Sequence, residues 1–539
     1  MFSWFKSARL LIIGSLILSM GGIAAQVPEI PNPDTLVVVA YGEPAELDPA
    51  TSYSARGWLF IQNLYDRLVQ YKGEDTVTIY PMLAERWDVS EDGLVYTFYL
   101  RRDAKFHDGS SVTAEAVKYS FDRVLKMNQP PSWMLSQMMD LNSTKVIDDY
   151  TVEITLTKPY AAALAVFATM TASIVNPAVV EAHGGVVEGE ENEWMNMNEA
   201  GSGPFKLREW IPAERIVVER FNDYWAGPAK LAKVDVRFYP EIGTRIMLLK
   251  RGDADIATGF PETNIPDILG SPGVLLTPYP TLDITFIVLG CRGPLAEKEV
   301  RQAVCYAFPY DTILQFVYHG YADRLTGVIP KGLFGYYEIP EEERYTLDLD
   351  KANQLLDQAE WVWPGEPGEG YREKDGQKLE AEILVPEGDE VRSQISVMWQ
   401  DKLRKIGFNL KIRVVTWAVM YQIMRNLESD ILISGWLPDY ADPDNYVDAM
   451  LGSANALAIW GSSYSNPTMD ELIDKAKWEP DREKRAELYK QIQLLAHEDA
   501  SYVWVAQTKE INVRRTWVQG YYYNAIKPMD WFPMYKGWE

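Results

Sequence analysis

The chain has 539 residues, 47% of them apolar and 24% charged, with a net charge of −25. That length exceeds what one hydrophobic core serves and sets an expectation of two or three domains. So acidic a balance argues against nucleic acid and anionic membrane surfaces as partners, because both reward a basic patch.

Lys6 and Arg9 precede an apolar run from Leu10 to Leu18, and the small residues Gly21, Gly22, Ala24 and Ala25 follow. This is the pattern of a secretory signal peptide over residues 1–25, cleaved after Ala24 or Ala25. The run is short of the roughly 20 residues a membrane span needs, and no other stretch approaches that length. No cysteine lies near the cleavage site, so a lipid anchor is not expected and the mature chain reads as exported. Cys291 and Cys305 are the only cysteines. Export permits a bond between them, but Cys305 falls in a helix-like run, Val300 to Phe308, where it reads as a small core residue.

In chain order, Thr35 to Ala40 reads as the first strand, and Ala55 to Val69 as a helix with Leu59, Phe60, Leu64 and Leu68 on one side. Leu94, Tyr96, Phe98 and Leu100 alternate with more polar residues, which predicts a half-buried strand after a turn at Glu91-Asp-Gly93. Thr113 precedes a helix with Val117, Phe121, Val124 and Leu125 on its apolar face. Val152, Ile154 and Leu156 mark another alternating strand. A surface connection is expected from His183 to Asn198, then strands at Arg215 to Phe221 and Lys233 to Tyr239, then a helix from Thr244 to Lys250 released by Gly252.

Helices are expected at Val300 to Phe308 and Lys351 to Ala359, and an exposed insert at Trp363 to Gly376. A strand (Leu379 to Val385), a helix (Glu390 to Ile406) and a strand (Asn409 to Val415) follow in an α/β rhythm. A long helical stretch from Thr468 to His497 is broken near Pro480, and strands at Tyr502 to Val505 and Glu510 to Arg514 close the chain.

One stretch stands out for function. The apolar run Asp430 to Ile433 leads into Ser434-Gly-Trp-Leu-Pro-Asp-Tyr-Ala-Asp-Pro-Asp-Asn-Tyr446. Pro438 and Pro443 stop a strand, and the turn presents Trp436, Asp439 and Tyr440 together. A carboxylate framed by aromatics suits an ammonium group attached to an apolar body. The plainer reading is an Asx-rich surface loop whose aspartates serve nearby amides. Signatures for nucleophilic, phosphate-binding or metal-dependent catalysis are missing. The histidines at 107, 183, 319 and 497 have no ligand spacing, so neither a metal nor a cofactor is expected. Carboxylates alone leave an exported glycosidase as a remote alternative.

The order of motifs resembles the family 5 extracellular solute-binding proteins of bacterial ABC importers, the peptide- and nickel-binding group. The resemblance rests on Leu83 to Arg101 with Lys105-Phe-His-Asp-Gly109, on Thr113 to Arg123, and on Gly201-Ser-Gly-Pro-Phe205 leading to Tyr224-Trp225. Val300 to Val304 and the Trp436 to Tyr446 loop complete it. It implies an α/β fold of the two-lobed type II periplasmic-binding-protein kind, with an additional α+β domain on the N-terminal lobe. The implied boundaries are 35–77, 200–288 and 501–539 for the first lobe, 78–199 for the extra domain and 289–500 for the second lobe.

The implied function is not enzymatic: capture of a small solute, an oligopeptide first and an oligosaccharide second, for delivery to a membrane permease by a periplasmic or extracellular monomer. In peptide-binding members an aspartate at the position of Asp439 pairs with the ligand's α-amino group, which makes Trp436 and Tyr440 its neighbours and Trp417 a further candidate. Asp442, Asp444 and Asn445 read as turn-formers. No arginine for a ligand carboxylate can be placed. The segment from Trp417 to Tyr446 holds no histidine, which gives a nickel chelate little support.

Overall fold

A computed structural model describes residues 29–538, so the expected signal peptide lies outside the described residues. Its spine is one 11-stranded sheet that passes through both halves of the molecule. At one end the strands Asn409–Val415, Glu380–Pro386 and Ile431–Trp436 run parallel, with Glu380–Pro386 central. Their crossovers are the helices Glu390–Lys405 and Trp417–Arg425. Parallel neighbours cannot be joined by a hairpin, and the helical returns cover the sheet.

Toward the other end come Ile256–Ala257, Thr35–Ala40 and Lys233–Phe238, parallel to one another, then Arg215–Arg220 and Phe205–Ile211 in antiparallel sequence. Two long strands, Val274–Leu289 and Tyr502–Arg515, join the halves as an antiparallel ribbon. Residues 284–289 of the first pair with Ile431–Trp436, while the C-terminal part of the second pairs with Ile256–Ala257. Their mutual register breaks between Pro280 and Ile284, so the ribbon changes halves there. Gln507 is buried at this crossing and donates to Thr281 O, within the break, at 2.6 Å and to Lys331 O of a neighbouring loop at 2.9 Å.

A separate four-stranded antiparallel sheet is built from Ala84–Val89, Val95–Leu100, Thr151–Thr155 and Thr144–Asp148. The alternation around Tyr96, Phe98 and Leu100 points those residues inward, as the period of two requires. Helix Ala114–Met127 packs on this sheet. Phe167 joins the two, edge-on to Phe98 at 5.7 Å and stacked on Phe121 at 5.8 Å. The core of this unit is continuous with buried residues of segment 440–504, including Tyr440, Tyr446 and Tyr489.

Several expectations need correction. The first helix is Ala55–Leu64, not 55–69. Leu64 O accepts from Gly203 N at 2.9 Å and Asp66 O from Ile174 N at 2.9 Å, so residues 65–69 are drawn out by distant partners. The helix placed at Thr244 is Ile242–Arg251 and starts at Glu241, with Gly252 in the left-handed region ending it. The closing strands expected separately are one, Tyr502–Arg515. The Trp436–Tyr446 stretch is only partly loop: its strand runs to Trp436 and a helix, Asp444–Leu451, begins inside it. Cys291 and Cys305 are unbonded, and Cys305 is a buried core residue as expected.

Candidate functional site

Strand Ile431–Trp436 leaves the second half of the sheet, Pro438 turns it, and Asp439 is left half-buried. One side chain fixes this turn. Asn445, in the first turn of helix Asp444–Leu451, accepts from Trp436 Nε1 at 3.0 Å and from Asp439 N at 3.1 Å. Its amide in turn donates to Asp439 Oδ2 at 3.3 Å. Sequence reading treated Asn445 as a turn-former. In the structure it joins strand end, carboxylate and helix start.

The Tyr53 hydroxyl, from the N-terminal part of the chain, faces the Asp439 carboxylate and accepts from Trp133 Nε1 at 3.2 Å. No cation is paired with Asp439 among the described residues. Burial raises its pKa above the ordinary carboxylate value, and the Tyr53 and Asn445 bonds only partly oppose this. An unpaired, partly desolvated carboxylate between two parts of the chain has the chemistry to accept a cation.

Tyr440 does not stand in the open beside Asp439. It is buried, and its hydroxyl donates to Asp444 Oδ2 at 3.1 Å and lies 2.9 Å from the Tyr160 hydroxyl. Tyr160, which follows the four-stranded sheet, donates to the same Asp444 oxygen at 2.6 Å. Asp442 accepts two hydrogen bonds from Arg485, each 2.7 Å, with both residues buried. The other aspartates of the loop are thus consumed by structure, which leaves Asp439 as the free one.

Trp436 is half-buried and edge-on to Trp460 at 5.8 Å. Trp417 opens helix Trp417–Arg425, well exposed, with the Arg392 guanidinium 5.6 Å from its ring centre. Arg392 itself was not found from the sequence. It sits on helix Glu390–Lys405, bonds the Asp389 carboxylate and reaches strand Ile431–Trp436: a Cβ on Gly435 would stand 3.0 Å from its Nη2. Only the parallel pairing of neighbouring strands brings residues 392 and 435 together, so no local signal marked it. A crevice of about 380 Å³ lined by Ile79, Tyr160, Asp442, Trp478 and Arg485 lies close to this network but does not include Asp439.

Two α/β halves joined by a strand ribbon, with an additional α+β unit on the N-terminal half and a free carboxylate facing across, make a type II periplasmic-binding-protein fold. Solved neighbours agree. HbpA2 from Haemophilus parasuis is 28% identical, with a TM-score of 0.82 over 94% of this chain and 100% of that one. DppA from Helicobacter pylori, solved with the peptide STSA, is 29% identical with a TM-score of 0.74 over 93% and 98%. The chain belongs to the bacterial extracellular solute-binding proteins, family 5, whose model matches residues 78–458. Among curated relatives, a probable D,D-dipeptide-binding periplasmic protein of Escherichia coli strain K12 is 30% identical, covering 92% of each chain. Heme-binding protein A of Haemophilus influenzae is 29% identical over 89% of this chain and 87% of its own.

Proposed function

We propose that this solute-binding protein serves a bacterial ABC importer and carries an oligopeptide between its two lobes, with the peptide's α-ammonium on Asp439. The observation that carries this reading is the Asp439 carboxylate, held by Asn445 and faced by Tyr53, with no cation beside it among the described residues. A ligand ammonium would complete it and would be desolvated between Tyr53 and the Trp436 turn. Arg392, on the same sheet half and over the exposed Trp417 ring, is suited to the far carboxylate of a short peptide. The peptide complex of the H. pylori neighbour and the dipeptide-binding relatives from E. coli support the same ligand class.

The ribbon of residues 274–289 and 502–515 would be the hinge, flexing where its register breaks, near residues 281–283. Lobe boundaries near 288 and 500 would then fall beyond the flexing point, inside the second lobe's own sheet. The protein would work as a monomer in the periplasm, hand its closed form to a permease, and make or break no bond. An oligosaccharide would instead stack on Trp417 and the neighbouring Tyr421, both exposed.

A thermal-shift screen of a peptide pool against an oligosaccharide pool separates the two readings, since a ligand at a hundred times its Kd adds about 2.7 kcal/mol. Peptides should shift the midpoint and sugars should not. Asp439→Asn should weaken peptide binding by about 2–5 kcal/mol while the fold is kept. An Asp439→Asn protein that binds peptides as tightly as the parent would end this reading.

A further inference from the structure

A second set of acidic side chains lies next to the first. Tyr446 follows Asn445, and its hydroxyl donates to Leu282 O at 2.6 Å, which brings the ribbon crossing against the Asp439 turn. Asp283 is the next residue of the crossing, and Tyr446 feels both the Asp283 and Asp439 carboxylates. Asp283 is enclosed on nearly all sides yet keeps an accessible edge. Glu510 stands on the neighbouring strand, opposite Tyr279 in the register.

Neither carboxylate has a hydrogen bond or ion pair among the described residues. Among the described residues the charged neighbour that acts on Asp283 is another carboxylate, Glu510, and a third, Glu262, acts on Glu510. The guanidinium on this part of the ribbon, Arg514, lies 4.8 Å over the Tyr521 ring and donates to Asn512 at 2.7 Å. Aromatic rings complete the wall: Tyr279 stacks on Tyr523 at 5.5 Å and meets Tyr521 at 5.8 Å.

Burial first, and then Glu510, pushes Asp283 up to about 7. An enclosed carboxylate facing only like charge is costly unless something from outside neutralises it. Tyrosine faces beside it suit the stem and head of a long cationic side chain.

We propose that Asp283 and Glu510 form a cation subsite next to Asp439, so that the protein selects peptides carrying a lysine or arginine side chain beyond the free amino end. The inference rests on the peptide reading of the Asp439 site. Asp439 takes the α-ammonium, Asp283 and Glu510 take the side-chain cation, and Tyr279 and Tyr523 line its stem.

Titration calorimetry of the purified protein tests this with Ala-Lys, Ala-Lys-Ala and Ala-Ala-Lys, each against the same peptide with norleucine in place of lysine. At least one lysine peptide should bind about tenfold or more tightly than its norleucine counterpart. Asp283→Asn and Glu510→Gln should erase that preference while leaving the norleucine affinity within about twofold. Glu510 is exposed on its strand, so Glu510→Gln carries the test if Asp283→Asn fails to fold. Equal affinities for both series in the parent protein would overturn the inference and leave the peptide reading standing. A preference that survives both substitutions would overturn it too. If neither series binds, the peptide reading falls and this inference with it.

Discussion

At the scale of single residues, the Asp439 turn shows how side chains of one chemical type differ in how fully the fold satisfies them. Asp442 and Asp444 are buried with donors in place, whereas Asp439 has an amide and a hydroxyl but, among the described residues, no cation. Composition and spacing singled out the stretch, and the family resemblance set Asp439 apart from Asp442 and Asp444, but the partners that hold those two come from Arg485 and Tyr160, far along the chain. The Asp442–Arg485 pair also carries a stability prediction. Arg485→Met would leave Asp442 buried without its counter-charge, at a cost of about 3–5 kcal/mol. A lower urea midpoint is the expected result, partly restored when Asp442→Asn is added. An unchanged midpoint would mean that water replaces the guanidinium.

At the scale of elements, the Gly201-Ser-Gly203 motif turns out to be a packing device. A Cβ on Gly203 would stand 2.5 Å from the Leu64 carbonyl carbon and 2.7 Å from Asn63 O; one on Gly201 would stand 1.9 Å from Leu64 O. The motif therefore lets its backbone lie against the end of helix Ala55–Leu64, and Gly203 N bonds Leu64 O at 2.9 Å. Gly203→Ala should push the two segments apart and lower the yield and thermal midpoint of the protein; a normal midpoint would contradict the close approach.

A second element-scale prediction concerns Tyr160, which links the four-stranded unit to the Asp444–Leu451 helix. Asp444 is raised in pKa by burial and keeps one carboxylate oxygen without a partner, so it depends on the tyrosine donors. Tyr160→Phe should remove about 1–2 kcal/mol from the contact between these two units. The readouts are a larger radius of gyration in solution scattering and peptide affinity weaker by roughly tenfold. An unchanged radius with unchanged affinity would show that this contact does not hold the two units together. Strand periods and most helix spans were legible because they depend on local alternation. The first helix was drawn too long because its last turn is undone by hydrogen bonds to residues 174 and 203.

At the scale of the whole molecule, buried acids set a pH dependence. Burial holds Asp66 at about 6 despite bonds from Tyr224, Trp225 and Ser202, and Asp283 stands at about 7. Both lie above the ordinary aspartate value of about 3.9, so between roughly pH 4 and 7 the folded chain binds more protons than the unfolded one. Stability from these groups is therefore greatest in acid and falls as pH rises through that window.

His107 adds in the same direction. Burial opposes its protonation, but Glu199 and the Gly203 carbonyl outweigh it, so its contribution is lost as pH rises through its raised value. Asp75, lowered to about 2 by amide and hydroxyl donors, and Asp530, lowered by Lys527 against its burial, set the acid limit. The ligand-free protein should melt at a higher temperature at pH 5 than at pH 8, and Asp66→Asn should flatten that difference. A midpoint that rises from pH 5 to pH 8 would refute the assignment.

The sequence by itself determined the α/β class, the strand and helix periods, the family and the loop that carries Asp439, because each is written in residues near one another in the chain. Only the tertiary structure decided which partners hold Asp442 and Asp444, that Arg392 lies beside Gly435, and that Asp283 and Glu510 stand near one another with no counter-charge among the described residues. These depend on pairings between strands tens to hundreds of residues apart, where neighbours in space have no common local pattern. Charge can be counted from a sequence, but whether it is compensated is settled by burial and by partners that folding brings from elsewhere.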